Sequence, residues 1–304
     1  MRKFQLSIFS VVLIGGLSAC SKDAADPSSA EYNRNDAEIK AYISQNEDKL
    51  VSLSQVSPPG ILTASGLYYK ITRPNPTGKQ ATVGDELEFS YKVTNLSTGL
   101  HVDSSAAAAP VFYPLGIRSV FPGLEQGLSL MREGEKAILL VPSYLAYNDQ
   151  TLPNLPAYSV VRFDVTLNRS RSEDQQITDY IMKNKLAVTE TTASGVRFIK
   201  TQTNASGQVP TAGQTLTIKY VGKQLRAATA FDSTGTGTAD FVLAQNKLVK
   251  GFEEGLAKLR IGEKATVIFP SSLGYGKDGI VQNRRYVITP YAPLRFDIEL
   301  TAVK

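Results

Sequence analysis

The sequence is poor in the residues that enzymes use for covalent or metal-assisted chemistry. It contains one cysteine, Cys20, and one histidine, His101, among 304 residues. A single thiol excludes an internal disulfide and a cysteine-based metal site. A Ser-His-Asp triad or a histidine-ligated metal would need His101, and nothing else in the sequence converges on it. We therefore expect no metal and no cofactor, and we expect His101 to be an exposed residue in a loop.

Two binding functions are also disfavoured. The formal net charge is +5, but the basic residues are scattered and form no stripe of Lys and Arg with interleaved aromatics. Nucleic acid is therefore a poor candidate for a partner. The glycine-rich stretch DSTGTGTAD, residues 232–240, lacks the Gly-Lys-Ser/Thr ending of a phosphate-binding loop. It is predicted to be a flexible connection.

The N-terminus has the features of a targeting segment. Arg2 and Lys3 precede an apolar run, residues 4–17, which is too short for a comfortable membrane span. Leu-Ser-Ala then stands directly before Cys20, and this resembles the lipobox of bacterial lipoproteins. The resemblance implies a signal peptide over residues 1–19 and lipidation of Cys20. A plain secretory signal with a chance cysteine is the alternative.

A lipid on Cys20 would place the protein in the cell envelope. Several acyl chains on one residue anchor a protein stably, unlike a single chain. Ser21 fits sorting to the outer membrane, which we favour over the inner membrane, and the acidic Asp23 and Asp26 leave display on the cell surface open. Residues 20–35 are small and polar and are predicted to form a flexible tether.

The rest of the chain contains one unit twice. The stretch LVKGFEEGLAKLRIGEKATVIFPSSLGYG, residues 248–276, repeats VFPGLEQGLSLMREGEKAILLVPSYLAYN, residues 120–148, without a gap. The length suits two ordinary domains. We predict a first domain over residues 36–170 and a second over residues 171–304.

The patterning within each copy predicts an α+β fold. Apolar residues at helical spacing mark an N-terminal helix over 36–50 and another over 172–186, where Ser172 and Gln175 resemble a capping box. Each helix has one apolar stripe, which we expect to pack on its own domain; a partner chain is the alternative. Strands with alternating polarity and one short helix complete each copy, so the prediction is one antiparallel sheet wrapped around a short helix.

Three separated motifs identify a family. VKGFEEGL, the strand that ends in FPSSLGYG, and PLRFDIEL resemble, in order and spacing, the FKBP-type peptidyl-prolyl cis-trans isomerases. The resemblance runs from near Ser65 to Arg169 and from Ser194 to Lys304. Tandem copies, each preceded by a helix and both behind a lipobox, are similar to FKBP-type lipoproteins of Gram-negative bacteria.

The resemblance implies a pocket in the second copy that receives a proline ring. Asp232, Tyr275 and Tyr220 would be the catalytic residues, with the Tyr275 hydroxyl on a substrate carbonyl and Asp232 and Tyr220 hydrogen-bonding near the twisting amide. We expect the carboxylate of Asp232 to be buried. The backbone N–H of Val249 would hold a second carbonyl, and Phe252 would form the floor, where the family most often has tryptophan. The substrate-binding residues would be Phe231, Leu248, Val249, Phe252, Ile288 and Phe296.

The second copy departs from the family at two places. Ala239 stands where an aromatic residue of the pocket wall is expected, and the loop from Gly276 to Pro293 is longer than usual. These departures bear on substrate preference more than on the fold.

The first copy resembles the family less closely. Val102 replaces the pocket phenylalanine, Leu124 replaces the floor aromatic, and Phe121 puts a large ring where a smaller aliphatic residue is usual. A second, weaker pocket is therefore predicted from Tyr91, Val102, Asp103, Phe121, Leu124, Tyr147, Leu155 and Phe163.

Isomerisation of X-Pro bonds suits this inventory, because amide rotation breaks no bond and needs no nucleophile. The expected partners are proline-containing unfolded or folding proteins, together with a membrane reached through the lipid anchor. The alternative is a non-catalytic protein that holds proline-containing segments, as a chaperone or a surface-interaction module; fold does not separate the two. The oligomeric state and the client proteins stay open.

Overall fold

The computed structural model describes residues 29–46, 51–52, 66–105, 109–245 and 247–304. The predicted signal peptide and Cys20 lie outside the described residues. Among the helices that are described, none is both long enough and apolar enough to cross a membrane.

The first copy forms one antiparallel sheet with a short helix and a preceding helix. The strands follow the spatial order β1-β2-β6-β7-β3-β4, and β5 pairs with β3. The elements are α1 Ser29–Asn46, β1 Val51–Ser52, β2 Tyr68–Arg73, β3 Glu86–Asn95, β4 His101–Ser104, β5 Val111–Pro114, α2 Pro122–Leu130, β6 Lys136–Val141 and β7 Val161–Arg171.

The second copy repeats this arrangement. Its sheet has the order β11-β10-β16-β13-β9-β8, with β12 paired to β10, and a separate two-stranded hairpin, β14-β15, is added. The elements are α3 Glu173–Lys183, β8 Glu190–Thr191, β9 Arg197–Gln202, β10 Thr215–Gln224, β11 Asp232–Ser233, β12 Ala239–Val242, α4 Lys250–Leu256, β13 Lys264–Phe269, β14 Ile280–Gln282, β15 Arg285–Ile288 and β16 Leu294–Val303. The predicted α+β class, with a sheet and a short helix in each copy, is confirmed.

The N-terminal helices differ from the predicted bounds. The helix α3 begins after Ser172, whose side chain and that of Gln175 form the predicted capping box. The helix α1 begins at Ser29, so residues 29–35, which were expected to be part of the tether, are helical. The physical reason is Asn35, which has no exposed surface and bonds the backbone of Ser143 and Tyr158 through its side chain. A polar anchor of this kind leaves no apolar signal in the sequence.

Each N-terminal helix packs on the sheet of its own copy, as expected. Ile39 of α1 lies in one apolar cluster with Ile138 and Leu140 of β6. Ile177 of α3 lies in an equivalent cluster with Ile199 and Ile268. The outer face of each central strand is therefore covered, which explains why β6 and β13 are apolar along nearly their whole length.

The inner face of each sheet packs against the short helix at very close range. A Cβ atom on Gly127 of α2 would lie 2.3 Å from Leu139, and one on Gly255 of α4 would lie 2.7 Å from Val267. Any other residue at either position would have to displace the side chain that packs beneath it. This contact accounts for the recurrence of glycine in both copies and fixes the helix that forms the pocket floor.

The chain forms two compact units whose borders differ from the predicted ones. The first contains residues up to Gly78 together with Phe89–Pro110 and Ile117–Leu167. The second contains Lys79–Glu88, Val111–Gly116 and Asn168–Lys304. Within the second unit, Glu86 accepts charged hydrogen bonds from Arg171 at 2.5 Å and Arg226 at 2.6 Å. Ion pairs of this kind join residues that are distant in sequence, and they help to determine which residues form one compact unit. The predicted borders follow only the sequence repeat.

Candidate functional site

The predicted residues of the second copy come together at one end of its sheet. Tyr220 lies on β10, Asp232 begins β11, and Phe296 lies on β16. Val249 is the N-cap residue of α4, and Phe252 lies in the first turn of that helix. Phe252, Ile288 and Phe296 are buried in the apolar core of this unit, and Tyr220, Phe231, Leu248, Val249 and Tyr275 pack against it while partly exposed. The core therefore continues into an accessible aromatic pocket.

The aromatic rings of this pocket contact one another at defined angles. The ring centroids of Phe252 and Phe296 are 4.5 Å apart, and Tyr220 lies 5.5 Å from Phe252. Phe231 meets Phe296 nearly at right angles, at 5.6 Å. Edge-to-face contacts of this kind stabilise aromatic clusters beyond the area that they bury. Three phenylalanines and a tyrosine thus form a rigid apolar surface.

Gly222 allows the wall of the pocket to close. A Cβ atom at this position of β10 would lie 2.7 Å from Phe296 and 2.8 Å from Phe231. The absence of a side chain lets both rings pack over the strand, so Phe231 can stand beside Phe296.

A hydrogen bond joins two of the predicted catalytic residues. The Tyr220 hydroxyl donates to Oδ2 of Asp232 at 2.7 Å. Burial, followed by this bond and the negative charge of Asp232, raises the pKa of Tyr220 to about 12. Tyr220 is therefore a neutral phenol at every physiological pH, with its proton directed at the carboxylate.

The expectation that Asp232 is buried is wrong. Asp232 is an exposed residue, although its carboxylate accepts the bond from Tyr220. The short strand β11 lies at the edge of the sheet and pairs only with the end of β10, through Gly222 and Val221. A residue on such an edge keeps contact with water, so no desolvation cost has to be met at this position.

Tyr275 lies at the open side of the pocket. It is partly exposed, and its ring is perpendicular to that of Phe231, with centroids 6.4 Å apart. Burial, and next the charge of Asp232, raise the pKa of Tyr275. Its hydroxyl is therefore protonated at neutral pH and can donate to a carbonyl oxygen of a bound peptide.

Sequence reasoning missed one aromatic residue of the wall. Phe241 of β12 lies 6.1 Å from Tyr220 and 6.2 Å from Phe252, in both cases edge to face. It is two residues beyond Ala239, and alternate residues of a strand share a face. Tyr113, at the matching place in β5 of the first copy, is the signal that could have identified it.

The long loop of the second copy forms the hairpin β14-β15. Its register pairs Val281 with Tyr286, two exposed residues, whereas Ile288 at the end of β15, which was predicted to bind substrate, is buried in the core. The extra length therefore builds a second small sheet whose outer end stands clear of the core.

The first copy keeps the polar pair but not the open pocket. The Tyr91 hydroxyl donates to Oδ2 of Asp103 at 2.8 Å, and Phe163 lies 6.2 Å from the Tyr91 ring. Burial, and then Asp103, raise the pKa of Tyr91. Val102 is partly exposed on β4, while Leu124 and Leu155 are buried in the core. The floor and one wall of this pocket are thus aliphatic.

Phe121 occupies the space in front of Tyr147. The centroids of the two rings are 4.5 Å apart, and Phe121 also lies 6.5 Å from Phe163. Tyr147 is only 4% exposed, and its hydroxyl has no hydrogen-bond partner among the described residues. At the matching position the second copy has Val249 and a partly exposed Tyr275. Phe121 therefore closes the first pocket.

His101 is not part of either pocket. It is exposed, as expected, but it begins β4 rather than lying in a loop, and its Nε2 is 3.2 Å from Oγ of Ser104. Within the described ranges, no three His, Cys, Asp or Glu side chains are grouped so that they could hold a metal ion.

Comparison with known proteins identifies the family. The family model described as FKBP-type peptidyl-prolyl cis-trans isomerase matches residues 77–168 and 207–301. The two matched segments hold both pockets, and together they cover more than half of the chain. The chain belongs to the FKBP-type peptidyl-prolyl cis-trans isomerase family.

Relatives of known name support this membership. The chain is 30% identical to peptidyl-prolyl cis-trans isomerase FKBP9 of Bos taurus over 232 residues, which cover 75% of this chain and 36% of that protein. It is 40% identical over 88 residues to a probable FKBP-type isomerase, FkpA, of Neisseria meningitidis, covering 29% of this chain and 31% of that one. The matches span about a third of these relatives.

Among solved structures, the three FKBP domains of wheat FKBP73 superpose with a TM-score of 0.40 at 17% sequence identity, covering 84% of this chain and 99% of that one. A superposition this loose supports no conclusion about the site.

Proposed function

We propose that this chain is a peptidyl-prolyl cis-trans isomerase and that the second pocket carries the activity. The observation behind the proposal is the aromatic pocket in which Phe252 and Phe296 are buried and Phe231 is partly exposed, with the Tyr220–Asp232 hydrogen bond and the Tyr275 hydroxyl on its open side. Membership of the FKBP-type family supports the same reaction.

The reaction requires a surface rather than a reagent. Rotation about an X-Pro amide passes over a barrier of about 18–20 kcal/mol, and no bond is made or broken. The twisted amide has lost resonance, so it is less charge-separated than either planar form and is favoured in an apolar surrounding. A site that binds the twisted form more tightly than the planar forms accelerates the exchange. Each ~1.4 kcal/mol of preferential binding increases the rate about tenfold.

The residues of the second pocket divide this task. The proline ring would pack on Phe252 and Phe296, which bury its apolar surface. The Tyr275 hydroxyl would donate to a carbonyl oxygen on one side of the proline, and the Val249 N–H would hold a second one. The Tyr220–Asp232 pair presents a fixed dipole next to the rotating amide, which stabilises partial charge there without reorganisation.

The two copies differ in competence under this proposal. The ring of Phe121 fills the first pocket, whereas the second has Val249 at the matching place. We expect the second pocket to account for most of the isomerase activity. The first pocket would contribute at most weak binding.

We further propose that the protein is a lipoprotein anchored through Cys20 in the cell envelope, with the outer membrane favoured over the inner. The support is the sequence: a basic start, a short apolar run and Leu-Ser-Ala before the single cysteine. Its clients would be proline-containing proteins that fold in the envelope, and the membrane would be reached through the lipid.

The test is a prolyl-isomerisation assay on the chain from Ser21 onward, with two variants in the second pocket. Tyr275→Phe removes one hydroxyl and keeps the ring, so the rate should fall only several-fold. Asp232→Val leaves Tyr220 without its acceptor and should cost more. Circular dichroism should show that both variants are folded.

The contradicting result is specific. If the unaltered chain gives no rate above the uncatalysed one, yet slows aggregation of an unfolded client equally well with and without the two substitutions, the isomerase proposal is wrong. The chain would then be a holding protein with aromatic residues in a structural role.

A further inference from the structure

The turn that carries Tyr275 is organised around one residue, Ser271. This serine follows β13 and begins a short 3-10 turn, Ser271–Leu273. Its carbonyl oxygen accepts the backbone N–H groups of Gly274 and Gly276, both at 2.8 Å. These two residues flank Tyr275 on either side. The position of the Tyr275 ring and hydroxyl therefore depends on where Ser271 is held.

Ser271 is held by Glu173, the first residue of α3. One carboxylate oxygen accepts the Ser271 backbone N–H at 2.5 Å, and the other accepts the Ser271 hydroxyl at 2.7 Å. Ser271 is 4% exposed, so water cannot easily replace the carboxylate. Burial raises the pKa of Glu173, and the two bonds from Ser271 oppose that rise. Both carboxylate oxygens of Glu173 are therefore hydrogen-bonded to one turn residue that is remote in sequence.

The helix that bears Glu173 is fixed to the sheet at further points. Ile177 packs on Ile199 and Ile268, and the Tyr180 hydroxyl accepts a hydrogen bond from Arg295. A helix with these contacts is a rigid support, so the position of α3 on the sheet is transmitted to Ser271 through Glu173.

The first copy has the same link with different chemistry. Asn35 of α1 accepts the Ser143 N–H at 2.6 Å. The Ser143 carbonyl in turn accepts the N–H groups of Ala146 at 2.9 Å and Asn148 at 2.8 Å, which flank Tyr147. Both copies of the unit therefore connect the N-terminal helix to the pocket tyrosine through one helix side chain and one serine. Asn and Glu share only an oxygen acceptor at this place.

We propose that Glu173 is a positioning residue for the isomerase reaction, acting through Ser271 on the hydroxyl of Tyr275. This inference rests on the proposed function of the second pocket. Without the carboxylate, the buried N–H and hydroxyl of Ser271 lose their acceptor and the turn relaxes. The Tyr275 hydroxyl then moves away from the substrate carbonyl. The N-terminal helix α3 lies outside the segment matched to the family, and on this proposal it positions a residue of the isomerase site.

The test uses the full chain with matched substitutions in α3. Glu173→Ala should lower kcat/KM about threefold to tenfold. This is the range expected when the neutral hydrogen bond from the Tyr275 hydroxyl to the substrate carbonyl is lost. Glu173→Gln keeps an oxygen for the Ser271 N–H and an N–H for the hydroxyl, so it should restore most of the rate. Asp174→Ala is the control, because it removes the neighbouring acidic residue and its exposed ion pair with Arg197 but leaves both bonds from Ser271 to Glu173 in place.

A double-mutant cycle separates positioning from a general loss of structure. If Glu173 acts through the Tyr275 hydroxyl, Glu173→Ala should cause little further loss in a Tyr275→Phe background. An equal loss in both backgrounds, or an equal loss in Asp174→Ala, would overturn the proposal.

A spectroscopic measurement keeps the inference separate from the activity. With fluorotyrosine incorporated at the 14 tyrosines, the Tyr275 resonance is assigned from its absence in Tyr275→Phe. It should shift in Glu173→Ala and stay in place in Asp174→Ala. An unshifted resonance would refute the link. A shifted resonance in a chain without isomerase activity would refute the proposed function and retain the link between α3 and the pocket tyrosine.

Discussion

Removal of the Tyr147 hydroxyl should stabilise the protein. This hydroxyl is buried and has no partner among the described residues, and the side chain as a whole is 4% exposed. An unsatisfied buried polar group costs about 1–3 kcal/mol. Tyr147→Phe removes that cost and keeps the ring against Phe121. Since relaxation and transient hydration recover part of the cost, we expect a gain of about 1 kcal/mol, which corresponds to a rise in Tm of about 2–4 °C.

The matching substitution in the second copy, Tyr275→Phe, should affect the isomerisation rate rather than the stability. Tyr275 is partly exposed, so its hydroxyl can reach water and Tyr275→Phe should change stability by less than about 0.5 kcal/mol. Its effect should appear in the rate, as a fall of about twofold to tenfold.

Urea unfolding of both variants, followed by circular dichroism, measures the stabilities, and a peptide assay measures the rates. A Tyr147→Phe variant that is less stable than the unaltered chain would show that the Tyr147 hydroxyl makes a hydrogen bond. The first pocket would then admit a hydrogen-bond partner despite the ring of Phe121.

Three further predictions concern the closed pocket, the anchor and pH. Phe121→Val should open the first pocket and increase its affinity for a proline peptide, measured by titration in a Val249→Phe background, in which the second pocket is closed; unchanged affinity would show that Phe121 is not the obstacle. Cys20→Ser should release the protein from the membrane fraction or leave the precursor uncleaved, and normal processing with membrane retention would refute the lipoprotein proposal. The pKa of Tyr220 is raised to about 12 from an ordinary value of about 10, so its contribution to stability is complete below about pH 10 and is lost as the pH rises through about 12. The rate should accordingly be level between about pH 6 and about pH 9, and a decline in stability centred well below pH 10 would contradict the assignment.

Much of the fold could be predicted because the pattern of each element occurs in both copies of the repeat. Alternation along β7 and β16, and the glycines of α2 and α4, follow from contacts that every copy of the unit must make. The prediction of Phe252 and Phe296 as pocket residues has a similar basis, since they lie within VKGFEEGL and PLRFDIEL, two of the motifs that resemble the family.

The features that were missed depend on edges and on tertiary contacts. Asp232 is exposed because β11 is a short edge strand, and no periodicity marks an edge. The sequence prediction misses Phe241 because it assigns the aromatic position of the wall to Ala239. The early start of α1 rests on the buried amide of Asn35, and the bond that Ser271 donates to Glu173 joins residues 98 positions apart. Polar anchors of this kind leave no hydrophobic pattern in the sequence.

The most direct test of the central claim is the exchange rate of a proline peptide in the presence of Val249→Phe, measured by exchange NMR beside the unaltered chain. This variant puts into the second pocket the ring with which Phe121 closes the first, and the first copy shows that the fold accepts phenylalanine at this position. If the second pocket is the isomerase site, the unaltered chain accelerates cis-trans exchange and Val249→Phe reduces the rate nearly to that of the peptide alone. Acceleration that survives Val249→Phe undiminished would contradict the assignment of activity to this pocket.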